Sequence, residues 1–331
     1  MASHTLVSGI RATGELHIGN YYGALKGISL LQHQFDCYFF IADLHALTTH
    51  PNPKQLSNGV IGVARDYLAA GLDPERSIFF AQSSIAAELG ELHTYLSMVM
   101  PLGELLRCPT FKEKAKKHPD NVNYGLVGYP VLMTADILAH RGTIVQVGED
   151  QLVHLEMARS IVRRFNQQYG AFLPEPQPLP DNAVKVPSLT GQGKMSKSDP
   201  VETYISLKDE PERIQAKLKK AYSDPLRVYR DQPGHPTADG CNVYQLHTFF
   251  TEEDVRRAMA DRCLKAEIGC VACKAKLAES IEQLVEPFRQ QRERLSDREV
   301  MHILAAGGQK ARESAQRVIS EVRAAMGLLM V

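Results

Sequence analysis

A small-residue turn before a helix, a lysine loop, one acid in an apolar helix and four late cysteines are the features of this sequence that could do chemistry. The turn is Ser8-Gly9-Ile10-Arg11-Ala12-Thr13-Gly14-Glu15-Leu16-His17-Ile18-Gly19-Asn20, where a strand pattern ends at Gly9 and a helix pattern begins near Gly19. Its small residues let backbone approach a ligand closely. A helix N-terminus presents unpaired N–H groups and the positive end of a dipole, which favours phosphate. His17 and Asn20, three apart, can both project from the first turn toward that ligand. By itself the turn also fits an ordinary strand-to-helix connection.

The lysine loop is Gly193-Lys194-Met195-Ser196-Lys197-Ser198, within a Gly/Ser/Lys-rich stretch from Leu189 to Asp199. Phosphoryl groups carry negative charge on their oxygens. Lys194 and Lys197 can meet that charge, while Gly and Ser let a loop close and donate hydrogen bonds. Lys112, in Phe111-Lys112-Glu113-Lys114, is a third candidate, in a cluster that fits a solvated helix face equally well.

The acid is Asp136, in Tyr129-Pro130-Val131-Leu132-Met133-Thr134-Ala135-Asp136-Ile137-Leu138. Pro130 fits a first helical position, and on the helix it opens Met133, Asp136, Ile137 and His140 fall on adjacent faces. A thioether packs well on an aromatic ring, and a carboxylate can accept an N–H. A core helix whose acid pairs with a nearby base fits the same residues. Cys241, Cys263, Cys270 and Cys273 are separated by 21, 6 and 2 residues. Four thiolates satisfy tetrahedral zinc or an iron–sulfur cluster, and four free, partly buried cysteines are the third alternative.

Strands and helices must alternate to position these groups. Strand patterns cover His4–Ile10, Cys37–Ala42, Ser77–Ala81 and Thr143–Val147, with a possible fifth at Val184–Val186; helices are expected at Gly19–Gln34 and Leu56–Ala70. Such alternation predicts a parallel, doubly wound α/β sheet. After Pro187 the patterns become helical: 210–222, 245–250, 252–264, 273–289 and 297–326. The expectation is an α/β nucleotide-binding domain over 1–187 and a helical domain over 188–296, with the last helix, about 297–331, free to pack on either.

Composition narrows the function classes. Apolar residues make up 44% and charged residues 23%, so a sizeable core is expected. Lys plus Arg equals Asp plus Glu at 38 each, which argues against a basic DNA binder. Local clusters such as Lys217–Lys220 and Arg227/Arg230 leave RNA open. No run approaches the ~18 apolar residues of a membrane helix. The start Met1-Ala2-Ser3-His4 does not read as a signal peptide, so a cytoplasmic location is expected.

His17-Ile18-Gly19-Asn20 resembles the "HIGH" signature of class I aminoacyl-tRNA synthetases, and Lys194–Ser198 matches their "KMSKS" signature. Tyr129–Leu138, Val145-Gln146-Val147-Gly148-Glu149-Asp150-Gln151 and His154 resemble the corresponding region of bacterial tryptophanyl-tRNA synthetases. The resemblance covers nearly the whole chain. It implies a Rossmann-like catalytic domain with a C-terminal α-helical domain that reads the anticodon. It implies a homodimer that activates L-tryptophan with ATP and Mg2+ and passes it to tRNA(Trp). Lys194, Lys197 and Lys112 would be catalytic. ATP would lie on Arg11, Thr13, His17, Gly19, Asn20, Gly148, Asp150 and Gln151, closed over by Lys194, Met195, Ser196, Lys197 and Ser198. Asp136 would take the indole nitrogen, with Met133, Val145 and Val147 flanking the ring, Tyr129 and Gln151 on the amino group, and Val7 and His45 beside the pocket. Some members carry a 4Fe–4S cluster on C-x22-C-x6-C-x2-C, which Cys241, Cys263, Cys270 and Cys273 resemble with one residue fewer in the first gap. Arg11-Ala12-Thr13-Gly14 departs from the common Gln-Pro-Ser-Gly, and Val7 from an aromatic residue; both bear on affinity. A tyrosyl enzyme of the same subclass and a non-catalytic RNA-binding paralogue are the alternatives.

Overall fold

Aromatic-rich and β-branched runs such as Asp36–Ile41 (DCYFFI) and Ile78–Ala81 (IFFA) form strands because both faces of a covered parallel sheet are apolar. The computed structural model describes residues 4–12, 16–22, 26–49, 51–117, 119–148, 151–179, 185–196 and 199–329. Five strands, β1 (Thr5–Ile10), β2 (Asp36–Ile41), β3 (Ile78–Ala81), β4 (Ile144–Gln146) and β5 (Gln177–Leu179), pair in parallel in the order β3-β2-β1-β4-β5. Successive residues alternate between two layers. Leu6, Phe39 and Phe79 enter one core, Val7, Phe40 and Phe80 the other. The connections leave β1 in one direction and reach β4 in the other, so a crevice opens at the carboxyl ends of β1 and β4, where α/β folds hold ligands.

The fifth strand corrects the sequence expectation. It lies at Gln177–Leu179, not at Val184–Val186. An edge strand has one side with no ladder to feed, so Pro178 is tolerated there. Of the expected segment, Val184 lies outside the described residues, and the Val186 carbonyl accepts the Met195 N–H at 2.9 Å.

Fourteen helices are described: α1 (Ile18–Asn20), α2 (Lys26–Leu31), α3 (Asp43–Ala46), α4 (Pro53–Ala69), α5 (Ala86–Ser97), α6 (Leu102–Arg107), α7 (Pro109–Lys117), α8 (Tyr124–Leu138), α9 (Leu152–Tyr169), α10 (Pro211–Lys220), α11 (Asn242–Phe250), α12 (Glu253–Leu264), α13 (Cys270–Arg294) and α14 (Asp297–Ala325). Of the helix expected over Gly19–Gln34, α1 and α2 are described, and residues 23–25 between them lie outside the described residues. In α8, Pro130 stands inside the helix and not at its start. Asn123 supplies the cap earlier, its side chain accepting the Leu126 N–H at 3.1 Å. The Pro130 carbonyl accepts the Thr134 hydroxyl at 2.8 Å. Among the described residues no helix is long and apolar enough to cross a membrane.

Helix α14 starts with a capping box between Ser296 and Glu299 and lies across β3, α5 and α4. Gly307 makes this possible: a Cβ there would stand 1.8 Å from the Phe79 carbonyl oxygen. Helix backbone rests directly on the edge strand. Arg323 adds a two-pronged pair to Glu91 at 2.5 and 2.8 Å.

Beneath this helix lies His140, stacked on Tyr38 with ring centroids 4.2 Å apart. Neither ring nitrogen has a hydrogen-bond partner among the described residues, and burial lowers its pKa to about 3. The unfolded chain therefore takes up a proton below pH ~6.5 that the folded chain refuses until about pH 3. Stability falls across that window by about 1.4 kcal/mol per pH unit, a slope His247, lowered to about 4, adds to in its own window. Urea midpoints at pH 7 and pH 5 should differ less in His140→Phe than in the parent; equal differences would assign the acid sensitivity elsewhere.

Candidate active site

The backbone leaving β1 reaches a buried His17, which caps α1. Its Nδ1 accepts the Asn20 N–H at 3.3 Å, and its own N–H goes to Asn20 Oδ1 at 3.0 Å. An accepting Nδ1 leaves the proton on Nε2, which is then a donor. Asn20 thus turns its Oδ1 back on the His17 backbone. A Cβ on Gly19 would stand 2.9 Å from the His17 ring, so only glycine lets the ring lie this close.

Met195 of the lysine loop is buried with Leu16 and Ile18. Its Cβ lies 3.6 Å from where a Cβ on Gly19 would be. The two motifs, distant in sequence, are in contact. An isolated bridge joins Lys194 to Pro187, and Lys194 lines an open groove with Lys185, Gly191 and Gln245. Ser196 is half-buried, Arg11 is exposed just beyond β1, and Gly148 follows β4. Thr13, Asp150, Lys197 and Ser198 lie outside the described residues.

Asp136 points from α8 into a polar knot. His45 Nε2 lies 2.8 Å from its Oδ2, and Gln82 Nε2 donates at 2.7 and 3.0 Å. The fully buried Gln82 accepts the Leu44 N–H with its own Oε1 at 3.1 Å. A carboxylate has about four lone-pair sites, so Asp136 keeps acceptor capacity for one more N–H. Met133, Val145 and Val147 pack with Ile137 in one small apolar cluster, and Val7 pairs with Val145 across the sheet at 1% exposure. Gln82 escaped the sequence reading. Its one signal was polar residues, Gln82-Ser83, directly after a parallel strand, where sites of such sheets form.

A second chain of polar groups starts at Gln151. Its Oε1 faces His154 Nδ1 at 2.9 Å, and His154 Nε2 faces the hydroxyls of Tyr129 and, at 2.9 Å, Thr110. With the proton on Nδ1, Nε2 accepts, and Tyr129 is fixed from beneath. Lys114 stands over the Tyr129 ring, 4.3 Å from its centroid. Lys112, on the same helix, is exposed.

All four late cysteines line one cavity with Asp224 and Arg227. Arg227 Nη1 is 3.7 Å from Cys263 Sγ, and His247 Nε2 is 3.4 Å from Cys273 Sγ. Burial, and then the neighbouring thiols, push Cys273 up to about 12. Among the described residues no three or more His, Cys, Asp or Glu are arranged to hold a metal ion.

A sheet of this order with these two motifs at its carboxyl edge defines a nucleotide-using synthetase, and the chain belongs to the tRNA synthetases class I (W and Y), whose family model matches residues 2–286. Within it the chain is similar to the tryptophan–tRNA ligase of Porphyromonas gingivalis, 41% identical over 98% of this chain and 99% of that one. The tryptophan–tRNA ligase of Synechocystis is 40% identical over 98% of this chain and 97% of its own. Among solved structures, the tryptophanyl-tRNA synthetase of Campylobacter jejuni complexed with ADP and tryptophan superposes with a TM-score of 0.89 at 30% identity, covering 98% of this chain and 100% of that one.

Proposed function

We propose that this chain activates L-tryptophan with Mg-ATP and transfers it to tRNA(Trp). The observation that carries the reading is the contact of Met195 with the Ile18–Gly19 motif, in the segment that follows β1. In the first step the tryptophan carboxylate attacks the α-phosphate in line; the new C(O)O–P bond forms as the bond to pyrophosphate breaks. In the second, a 3′-terminal hydroxyl of tRNA takes the acyl group and AMP leaves. His17 Nε2–H, Lys194 and Lys197 stabilise phosphoryl charge, with Lys112 or its neighbour Lys114 approaching from α7. Asp136 accepts the indole N–H, while Tyr129 and Gln151, held by His154, orient the amino group. Positioning supplies much of the rate. ATP–pyrophosphate exchange across all twenty amino acids tests the reading: tryptophan alone should support it, and equal exchange with tyrosine would overturn it.

Residues 188–296 serve in this reading as the tRNA-binding helical domain, and the cytoplasm is the working compartment. Cys241, Cys263, Cys270 and Cys273 would hold a 4Fe–4S cluster, which the shared cavity and the four-thiol donor set support. Bound there, the cluster would tie α11, α12 and α13 together near the tRNA. Iron and acid-labile sulfide in anaerobically purified protein test this; their absence removes it. The dimer is supported by exposed Met98 just past α5, Leu102 and Leu106 on α6, and Tyr124 of α8, which lines an apolar groove with Leu47 and Leu132. Sedimentation equilibrium should give two chains per particle.

A further inference from the structure

A short strap joins the two phosphate-directed motifs, and its anchor is buried and charged. Residues 204–207 follow the lysine loop and run antiparallel to Leu16–Ile18. The Ile18 N–H donates to the Ile205 carbonyl and the Leu207 N–H to the Leu16 carbonyl, both at 3.0 Å. The Tyr204 ring sits 5.4 Å from the His17 ring. Downstream the strap turns at Asp209, whose Oδ2 accepts the Ser206 N–H at 2.9 Å. Lys217 of α10, its side chain fully buried, donates to the same Oδ2 at 2.5 Å and to the Tyr204 carbonyl at 2.9 Å. One ammonium therefore grips both ends of the strap. Arg213 reaches the other carboxylate oxygen at 3.2 Å, and Arg289 of α13 donates to the Asp209 carbonyl at 2.7 Å.

Stability alone does not account for such a pair, because replacing a buried ion pair by apolar groups of similar volume is often neutral or stabilising. What it uniquely fixes is the distance between the strap's two ends, and the strap pairs with the segment that carries His17. We propose that Asp209 and Lys217 are positioning residues for the adenylation step: they hold the strap rigid so that His17 keeps its place. The inference rests on the function proposed above.

Two variants test it. Lys217→Met removes the ammonium and keeps the stem; Asp209→Asn with Lys217→Met removes both charges of the pair and leaves no buried charge stranded, since the Arg213 side chain is half exposed. The double variant should melt near the parent and bind tryptophan within about twofold. That binding can be read from the ligand's own fluorescence, since the chain contains no tryptophan. Its kcat for ATP–pyrophosphate exchange should fall at least tenfold, and Lys217→Arg should recover part of that loss. Deuterium uptake at the Ile18 and Leu207 amides should rise in both uncharged variants with no substrate present. Unchanged uptake, or a double variant with parental kcat, overturns the proposal. A parent lacking tryptophan-dependent exchange would overturn the proposed function instead, while the uptake measurement still decides whether the pair anchors the strap.

Discussion

Asparagine in place of His17 should lower tryptophan-dependent ATP–pyrophosphate exchange by roughly 10²–10³, the usual cost of removing one donor aimed at developing charge. The substitution separates two jobs of one ring. Nδ1 caps α1 by accepting the Asn20 N–H, and an asparagine oxygen reaches a similar position. Nε2, the end that carries the proton, has no counterpart in the shorter side chain. The helix should stay capped and the melting temperature near the parent's while the rate collapses. Glutamine, whose amide nitrogen extends to about where Nε2 lies, should retain more activity than asparagine. Equal rates for the parent and His17→Asn would take this histidine out of the chemistry.

Asp136→Ala should act on selectivity. Sites built to hydrogen-bond a ligand's polar group reject an analogue lacking it by roughly 10⁴–10⁵, against 10–200 for a missing methylene. Without the carboxylate most of the preference for tryptophan over phenylalanine should vanish and the tryptophan KM should rise. The donors of His45 and Gln82 lose their acceptor, so stability should also fall, by about 1–3 kcal/mol for a stranded buried group. Gln82→Leu should move selectivity the same way by a smaller factor, since Asp136 keeps His45. Parental KM values for tryptophan in Asp136→Ala, measured below the melting transition, would refute the assignment.

Much of this architecture was legible because it depends on short-range pattern. Four strands announced themselves as dense apolar runs, and Lys194–Ser198 is a string whose residue types have few other uses together. What escaped was set by tertiary context. Gln177–Leu179 carries a proline and reads as a loop until its place at the sheet edge is known. Pro130 looks like a helix start, yet Asn123 caps the helix before it. Gln82 and Thr110 are ordinary polar residues in sequence. They acquire a role only where β3 ends beside α8 and where α7 passes His154. Lys112 and Lys114 are indistinguishable by composition, and only the placement of the Tyr129 ring separates them.

The seating of α14 on β3 has a consequence for how the molecule is made. Translation delivers β3 early and the helix that shields it late, so a nascent chain that has reached only Arg294 still exposes the rim of its sheet. An uncovered strand is a template for pairing with other chains. Ribosome-bound intermediates of this protein should be aggregation-prone until Gly307 settles on Phe79. Lesions in the distal α14 should lower yield by leaving that rim bare, although they lie far along the sequence from both phosphate motifs.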